Sequence, residues 1–226
     1  MTKTHHSTGP HLPRSALEHL PIFPLPDVVL FPGVTMPLRV FEPRYIKMFE
    51  ACEAEDNCMA VCLLGPGWED DYEGSPEVYE TACAGVIVAS QRNADGSYDF
   101  LLYGTERIRI LGELNTGEPF RRVCAEPVIE FTSDDDDEAA DRLRRVALQI
   151  ADSVQGAGQL LGSVLGAAQS PGHLADLISA HVLDPIELRQ ECLEIDTVHD
   201  RLERASDALA SALLHLVGQP PMDALN

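Results

Sequence analysis

Four prolines, Pro21, Pro24, Pro26 and Pro32, interrupt the apolar run LPIFPLPDVVLFPG between Leu20 and Gly33. Proline has no backbone donor and its ring collides with the preceding helical turn, so this run cannot be a helix. Extended chain remains, read as edge strands joined by turns. VTMPLRVFEP continues as a short strand to Pro43. PRYIKMFEACEAED then reads as a helix: Pro43 suits its first position. Tyr45, Met48, Phe49 and Cys52 recur on one face.

Beyond that helix the pattern is short strands and tight turns. Cys58 to Leu64 is a buried-strand run stopped by Gly65-Pro66-Gly67. WEDDYEGSPEVYE is an acidic loop that carries the sole tryptophan, Trp68. Ala82 to Gln91 is a strand, Asp95-Gly96 signals a hairpin turn, and SYDFLLYG returns. TERIRILGEL alternates Arg107 and Arg109 with Ile108 and Ile110, which predicts a half-exposed strand with its arginines outward. Phe120 to Phe131 is the last strand of this half. Residues 19–131 thus predict a small, strongly curved sheet or barrel. A disordered polar tail is expected over 1–18, holding His5, His6 and His11.

From Thr132 the hydrophobic period becomes helical. SDDDDEAADRLRRVALQIADSV opens with Ser133 and four aspartates, which suit a cap and a first turn. Leu143, Val146, Ala147 and Ile150 form its apolar stripe. Gly158, Gly162 and Gly166 recur at four-residue spacing, which allows close helix packing. Ser170-Pro171-Gly172 breaks the chain before HLADLISAHVL. The next helix takes Asp184 as its cap and Pro185 as its first residue. A long terminal helix carries Val198, Leu202, Leu209, Leu213 and Leu216. The expected class is α+β: an N-terminal barrel, then an all-helical bundle over 132–218, then a short tail over 219–226.

Charge narrows the partners. The chain has 37 acidic and 16 basic residues, a net −21. Phosphate neutralisation requires the opposite balance, so nucleic acid is not the expected partner. Basic or uncharged polypeptides suit such a surface. The six cysteines, in a chain whose start has no apolar signal region, read as reduced thiols of a cytoplasmic protein. The spacing of Cys52, Cys58 and Cys62 matches no zinc site. No apolar run is long enough for a membrane helix. The sequence holds no G-x-x-x-x-G-K-[ST], H-E-x-x-H or G-x-S-x-G. The only lysines are Lys3, in the tail, and Lys47, in a helix, so no Ser-Lys dyad is evident. A hydrolase would need a cysteine beside one of His173, His181, His199 or His215. No metal or cofactor is expected.

Three segments in order carry a resemblance. PIFPLPDVVLFPGVTMPLRVFEPRY (Pro21 to Tyr45) holds the pattern PL-P----FPG followed by PL-V-E-RY. Gly85 to Ile110 holds an apolar strand, an acidic-Gly turn and a closing G---R-RI. Leu174 to Glu203 holds LAD, RQ, LE and RL in sequence. Together they resemble the Lon protease amino-terminal domain family, also called the Lon substrate-binding domain. The resemblance implies a PUA-like β-barrel followed by a helical bundle, and a non-catalytic role in recognising polypeptide substrates or partner proteins, linked to protein quality control. In full-length Lon enzymes an ATPase and a Ser-Lys peptidase follow; this chain ends at Asn226 with neither. The expectation is therefore a free-standing recognition module that is not an enzyme. The acidic loop and the Gly-rich stretch 156–166 depart from the family pattern.

Trp68 and Tyr72 are candidate partner contacts, since aromatic anchors dominate binding hot spots. Arg107 and Arg109 are further candidates. Arg39, Glu42 and Arg44 are expected to form an ion-pair cluster that pins the first helix to the barrel. Polypeptide recognition predicts an exposed apolar groove or an open sheet edge. The alternative, RNA binding by a PUA-like barrel, predicts a positive patch of Arg107, Arg109, Arg121 and Arg122. Nothing in the sequence signals an oligomeric state.

Overall fold

The computed structural model describes residues 12–71 and 74–218. Lys3, His5, His6, His11, Tyr72 and the tail 219–226 lie outside the described residues. The chain divides into two compact units, Met1–Val128 and Ile129–Asn226.

The first unit holds β1 (Leu20–Leu25), β2 (Thr35–Val40), α1 (Pro43–Ala54), β3 (Cys58–Leu63), β4 (Thr81–Arg92), β5 (Tyr98–Leu114) and β6 (Arg122–Pro127). The strand order is β2-β5-β4-β3-β1-β6, and β6 pairs again with β5. That second pairing closes five strands into a barrel and leaves β2 outside it, on β5 alone.

The prolines do not make β1 an edge strand, contrary to the sequence expectation. Leu20 and Pro21 pair with β6, and Ile22 to Leu25 pair with β3. The Ile22 N–H donates to Arg121 on the β6 side. Strand N–H directions alternate. Pro24 therefore lacks its donor on the β6 side, beyond the last β6 pair. Pro21 lacks its donor on the β3 side, before pairing with β3 starts. Each missing N–H falls where no strand needs it, so a barrel strand tolerates both rings.

Two expected strands are one. β5 runs for 17 residues through Gly104. A Cβ there would sit 2.2 Å from the Phe31 carbonyl oxygen. Only glycine lets the backbone of the 31–34 turn cross β5, where Gly33 donates to Gly104 and Gly104 donates to Val34. The β4–β5 turn closes as expected, with Gly96 at φ 87 and the Asn93 N–H on the Ser97 carbonyl.

The barrel interior joins large and small residues: Leu20, Ile22, Ile108 and Val123 against Ala60, Cys62, Ala82 and Ala84. Small side chains on β3 and β4 let a tightly curved sheet close without voids. The expected tail over 1–18 is corrected in its later part. Leu12 is fully buried and a 3-10 helix, Arg14–Glu18, sets Ala16 and Leu17 into the same core. Apolar burial, at about 2 kcal/mol for a large side chain, outweighs the polar composition around it. α1 buries the four residues its period predicted, Tyr45, Met48, Phe49 and Cys52. Phe49 stacks on Tyr98 and Phe100 at 4.6 and 4.9 Å between ring centroids.

The second unit holds α2 (Asp136–Ser153), α3 (Ala157–Ala167), α4 (Pro171–His181), α5 (Ile186–Glu194) and α6 (Val198–Gly218). Its start falls at Ile129 rather than after Phe131. Glu130 pairs with Arg201, and Phe131 bridges to Thr197, so these residues belong with the helices. Arg201 is 1% exposed, also faces Asp176 at 3.5 Å, and donates to the Ile195 carbonyl. The N-cap position of α2 is Asp135, which makes no side-chain cap bond, and Ser133 instead donates its N–H and hydroxyl to the Asp136 carboxylate, fixing the chain just before the helix. Ser170 caps α4 on the His173 N–H. α5 starts one residue later than expected, with Pro185 as its cap. Among the described residues the glycine stripe makes no close helix packing: a Cβ at Gly158 would meet only the Ala151 carbonyl oxygen at 3.8 Å, Gly162 and Gly166 face open space, and Leu161 and Val164 carry the buried face of α3. Val198, Leu202 and Leu209 of α6 are buried as expected, and the side chain of Leu216 is outside the description.

Candidate functional site

β2 is the open edge of the barrel unit: among the described residues no strand pairs with its outer side. Gly104 bonds to the Val34 carbonyl, so residues 34, 36, 38 and 40 face β5 with their backbone groups. Thr35, Pro37 and Arg39 therefore face outward. Pro37 removes one outward donor, as edge strands commonly do to limit indiscriminate pairing. The donors of Thr35 and Arg39 and three carbonyls remain. Apolar side chains stand beside this edge, with Thr35 and Arg39 to either side of Pro37 on the same face. Pro37 pairs with Leu101, which pairs with Ala89, so all three share one sheet face. Leu101 is 39% exposed, and Val88, at the adjoining bulge of β4, is 45% exposed. Phe41, directly after β2, is 68% exposed. Large apolar side chains gathered at an unpaired edge mark a surface built for contact.

A recess of ≈360 Å³ opens elsewhere on the same unit, where the 3-10 helix and β1 meet the end of α1. Arg122 forms its buried side and Glu55 and Asp56 its acidic side, with the buried residues Leu20, Pro21 and Cys58 behind them. All five guanidinium N–H groups of Arg122 are engaged. Glu55 takes two, Glu118 takes two and the His19 carbonyl takes one, at 2.6–3.2 Å. NH1 is shared between Glu55 and His19. Burial alone would lower the Arg122 pKa, but the hydrogen bonds and charges of Glu55 and Glu118 more than reverse this and keep it cationic. A second, aromatic cleft of ≈280 Å³ is walled by Tyr45, Phe120, Pro24 and Pro119.

The structure separates most of the residues singled out from sequence. Arg39 pairs with Asp95 at 2.9 Å and Asp99 at 3.8 Å, across the β4–β5 turn. Arg44 pairs with Glu42 at 3.0 Å and lies over the Tyr45 ring. The expected single cluster of Arg39, Glu42 and Arg44 is not seen as one: Arg39 is tied to the β4–β5 turn and Arg44 to Glu42, while α1 is seated by its buried apolar face together with hydrogen bonds from Tyr98 to Glu50 and from Ser90 to Glu53. Arg107 is buried and only Arg109 is exposed. The alternation itself holds, since Arg107, Ile108 and Arg109 pair in unbroken register with Cys83, Ala82 and Thr81 and Ile108 enters the barrel core; Arg107 shares the outer face with Arg109 but is covered there. Arg121 is paired with Glu113, and Arg122 with Glu55 and Glu118. The four arginines thus form no free positive patch. Trp68 is half-buried on a short 3-10 helix, Trp68–Asp71. Pro37, Leu101 and Asp56 were not singled out. The outward alternation around Pro37 and the acids of EAED at the end of α1 were the available signals.

The cysteines are free. Burial pushes the Cys52, Cys58 and Cys62 thiols up to about 12. A nucleophilic cysteine needs the thiolate, which these sites disfavour. Among the described residues no group of His, Cys, Asp and Glu is arranged to hold a metal ion, and no helix is long and apolar enough to cross a membrane.

Residues 19–211 match the model of the ATP-dependent protease La (LON) substrate-binding domain family. The chain is 27% identical to a Lon protease of Anaeromyxobacter dehalogenans over 84% of its own length and 23% of that protein's. It is 30% identical to Lon protease 2 of Desulfotalea psychrophila over 81% of its length and 24% of that protein's. It spans about a quarter of the curated relatives it matches. Among solved structures it is similar to the N-terminal domain of Mycobacterium avium complex Lon protease, with a TM-score of 0.70 at 16% identity, covering 85% of this chain and 98% of that one. It is also similar to a Lon N-terminal domain protein from Xanthomonas campestris, with a TM-score of 0.58 at 24% identity, covering 82% and 95%. At these identities the structures speak to the fold.

Proposed function

Because the chain belongs to the LON substrate-binding domain family, we propose that it is a polypeptide-recognition module that takes extended segments along β2 and holds them without cleaving them. The observation that carries this reading is the unpaired edge of β2 backed by the exposed apolar face of Pro37, Leu101 and Ala89. An extended segment added there gains backbone hydrogen bonds without regard to sequence, and buries alternate side chains on the apolar face. Such a binder suits unfolded or exposed segments of proteins, and hence a role in protein quality control. RNA recognition is the weaker reading, since Arg107 is buried and Arg121 and Arg122 are matched by carboxylates.

The test is fluorescence anisotropy with a dye-labelled, chemically unfolded model protein, with and without ATP, and gels for cleavage. Binding that is independent of ATP and leaves the probe intact is expected. Thr35→Pro removes an outward donor without touching the β2–β5 ladder, and weakens binding roughly two- to tenfold, the worth of one hydrogen bond. Leu101→Asp weakens it further. No binding by the parent protein overturns the reading, and cleavage that survives repurification overturns its non-catalytic part.

A further inference from the structure

An open strand edge that takes other polypeptides can also take the same edge of a second copy of the protein. The backbone of β2 makes one such pairing fit better than any other. Its outward groups belong to Thr35, Pro37 and Arg39, all exposed. Two antiparallel copies related by a two-fold axis at Pro37 set Thr35 of one against Arg39 of the other, and Pro37 against Pro37. Only this register engages all three outward residues of both strands; a slip to the next outward pair, in either direction, leaves two. Side chains do not oppose it. Thr35 faces Arg39, so no like charges meet, and the apolar face of Pro37, Leu101 and Ala89 continues from one sheet into the other. The net charge of −21 repels two copies, but at ~0.15 M salt that field is screened beyond about 8 Å.

Proline at the axis is what stands against self-pairing. Facing residues of an antiparallel pair exchange two bonds, one from each N–H. At the axis both donors would come from Pro37, which has none, so both bonds are lost and two rings face each other. A client segment loses only one bond there, because its own residue opposite Pro37 still donates to the Pro37 carbonyl. The position matters as much as the residue. A proline at 35 or 39 would weaken the centred register equally, yet would leave one slipped register intact. Pro37 takes part in the centred register and in both slipped ones. We propose that Pro37 is a specificity-determining residue of the β2 edge, which turns away a second copy of this chain and leaves the edge to other polypeptides. The selectivity comes from symmetry, since one substitution acts twice in a pair of copies and once on a client. This deepens the polypeptide-recognition reading, and rests on it only for the client.

The test is Pro37→Ala, which restores the donor; because that N–H points away from β5, the β2–β5 ladder is untouched. Sedimentation equilibrium at ~0.15 M salt reads self-association. Anisotropy with the dye-labelled, chemically unfolded model protein, below the concentrations at which copies pair, reads client binding. Pro37→Ala is expected to tighten self-association roughly four- to a hundredfold, the worth of two hydrogen bonds, and client binding roughly two- to tenfold, the worth of one. Amide spectra of the isotopically labelled variant locate the contact: the Thr35 and Arg39 amides shift as its concentration rises. Pro37→Val, which places a stronger strand former at the same position, gives the same two gains if Pro37→Ala folds poorly. Self-association no tighter than the parent's, or association that leaves the Thr35 and Arg39 amides in place, overturns the proposal. Equal gains for copy and client overturn the selectivity. No client binding by parent or variant, with the variant still pairing through Thr35 and Arg39, overturns the recognition reading and leaves Pro37 as a guard against self-pairing.

Discussion

Arg122 shows how one buried charge is kept in a small barrel. Its side chain is 6% exposed, whereas Glu55 and Glu118 keep 50% and 34% exposure. The carboxylates stay partly hydrated while the guanidinium gives up water, which limits the desolvation cost to one partner. The hydrogen bond from Arg122 holds the Glu118 carboxyl below its ordinary value of 4.5, against a smaller upward push from burial and with help from Thr116. A carboxyl lowered in the folded state stabilises above its unfolded pKa, and that contribution is lost as pH falls through the folded value. The tie is therefore whole at neutral pH and dissolves in acid. Glu118→Gln is expected to lower the melting temperature at pH 7 and to flatten its fall between about pH 5 and pH 3. Melting curves by circular dichroism across that range check it. An unchanged slope would mean that Glu118 titrates alike in both states.

At the scale of elements, two glycines that look alike in sequence have opposite roles. Gly104 lies mid-strand in β5, and a Cβ there would meet the Phe31 carbonyl carbon and oxygen at 3.0 and 2.2 Å. The obstacle is backbone, which cannot rotate aside. Gly104→Ala is expected to destabilise the barrel unit by about 2–4 kcal/mol, within the range of severe steric substitutions. Gly162 lies in α3 with no atom within 4 Å of its would-be Cβ. There alanine removes only the entropic cost of glycine in a helix, and Gly162→Ala is expected to stabilise by about 0.5–1 kcal/mol. Urea titrations of the two variants check the pair. Gly104→Ala at parental stability would mean that the 31–34 crossing gives way. From sequence, Gly104 reads as a strand end and Gly162 as a packing device. In the fold they are neither, because a glycine's role depends on what crosses it from elsewhere in the chain.

For the whole molecule, charge matters most. A net −21 repels itself in the folded state more than in the expanded one. Exposed ion pairs such as Arg14–Glu106 and Arg39–Asp95 oppose this only weakly, since each is worth about 1 kcal/mol or less. Raising salt from ~0.01 M to ~0.1 M shortens the screening length from about 30 Å to about 10 Å. The melting temperature is expected to rise over that interval. A fall would mean that local pairs outweigh the global repulsion.

By itself the sequence determined the order of elements, the change of period near Thr132, the apolar face of α1 and the family patterns that run from Pro21 to Glu203. These are local properties: prolines that bar a helix, a 3.6-residue repeat, a turn that needs Gly96. Tertiary structure alone decided which strand is an edge, where Arg107 lies and how the acids find their cations. β1 reads as an edge and is a barrel strand, while β2 reads as an ordinary strand and is the edge. Edge or interior is a matter of neighbours, and in this unit the neighbours are set by β6 returning to β1 and β5 from across the chain. Arg122 reads as half of a basic dipeptide and becomes the centre of an acidic recess, because closure of the barrel brings Glu55 to it from 67 residues away.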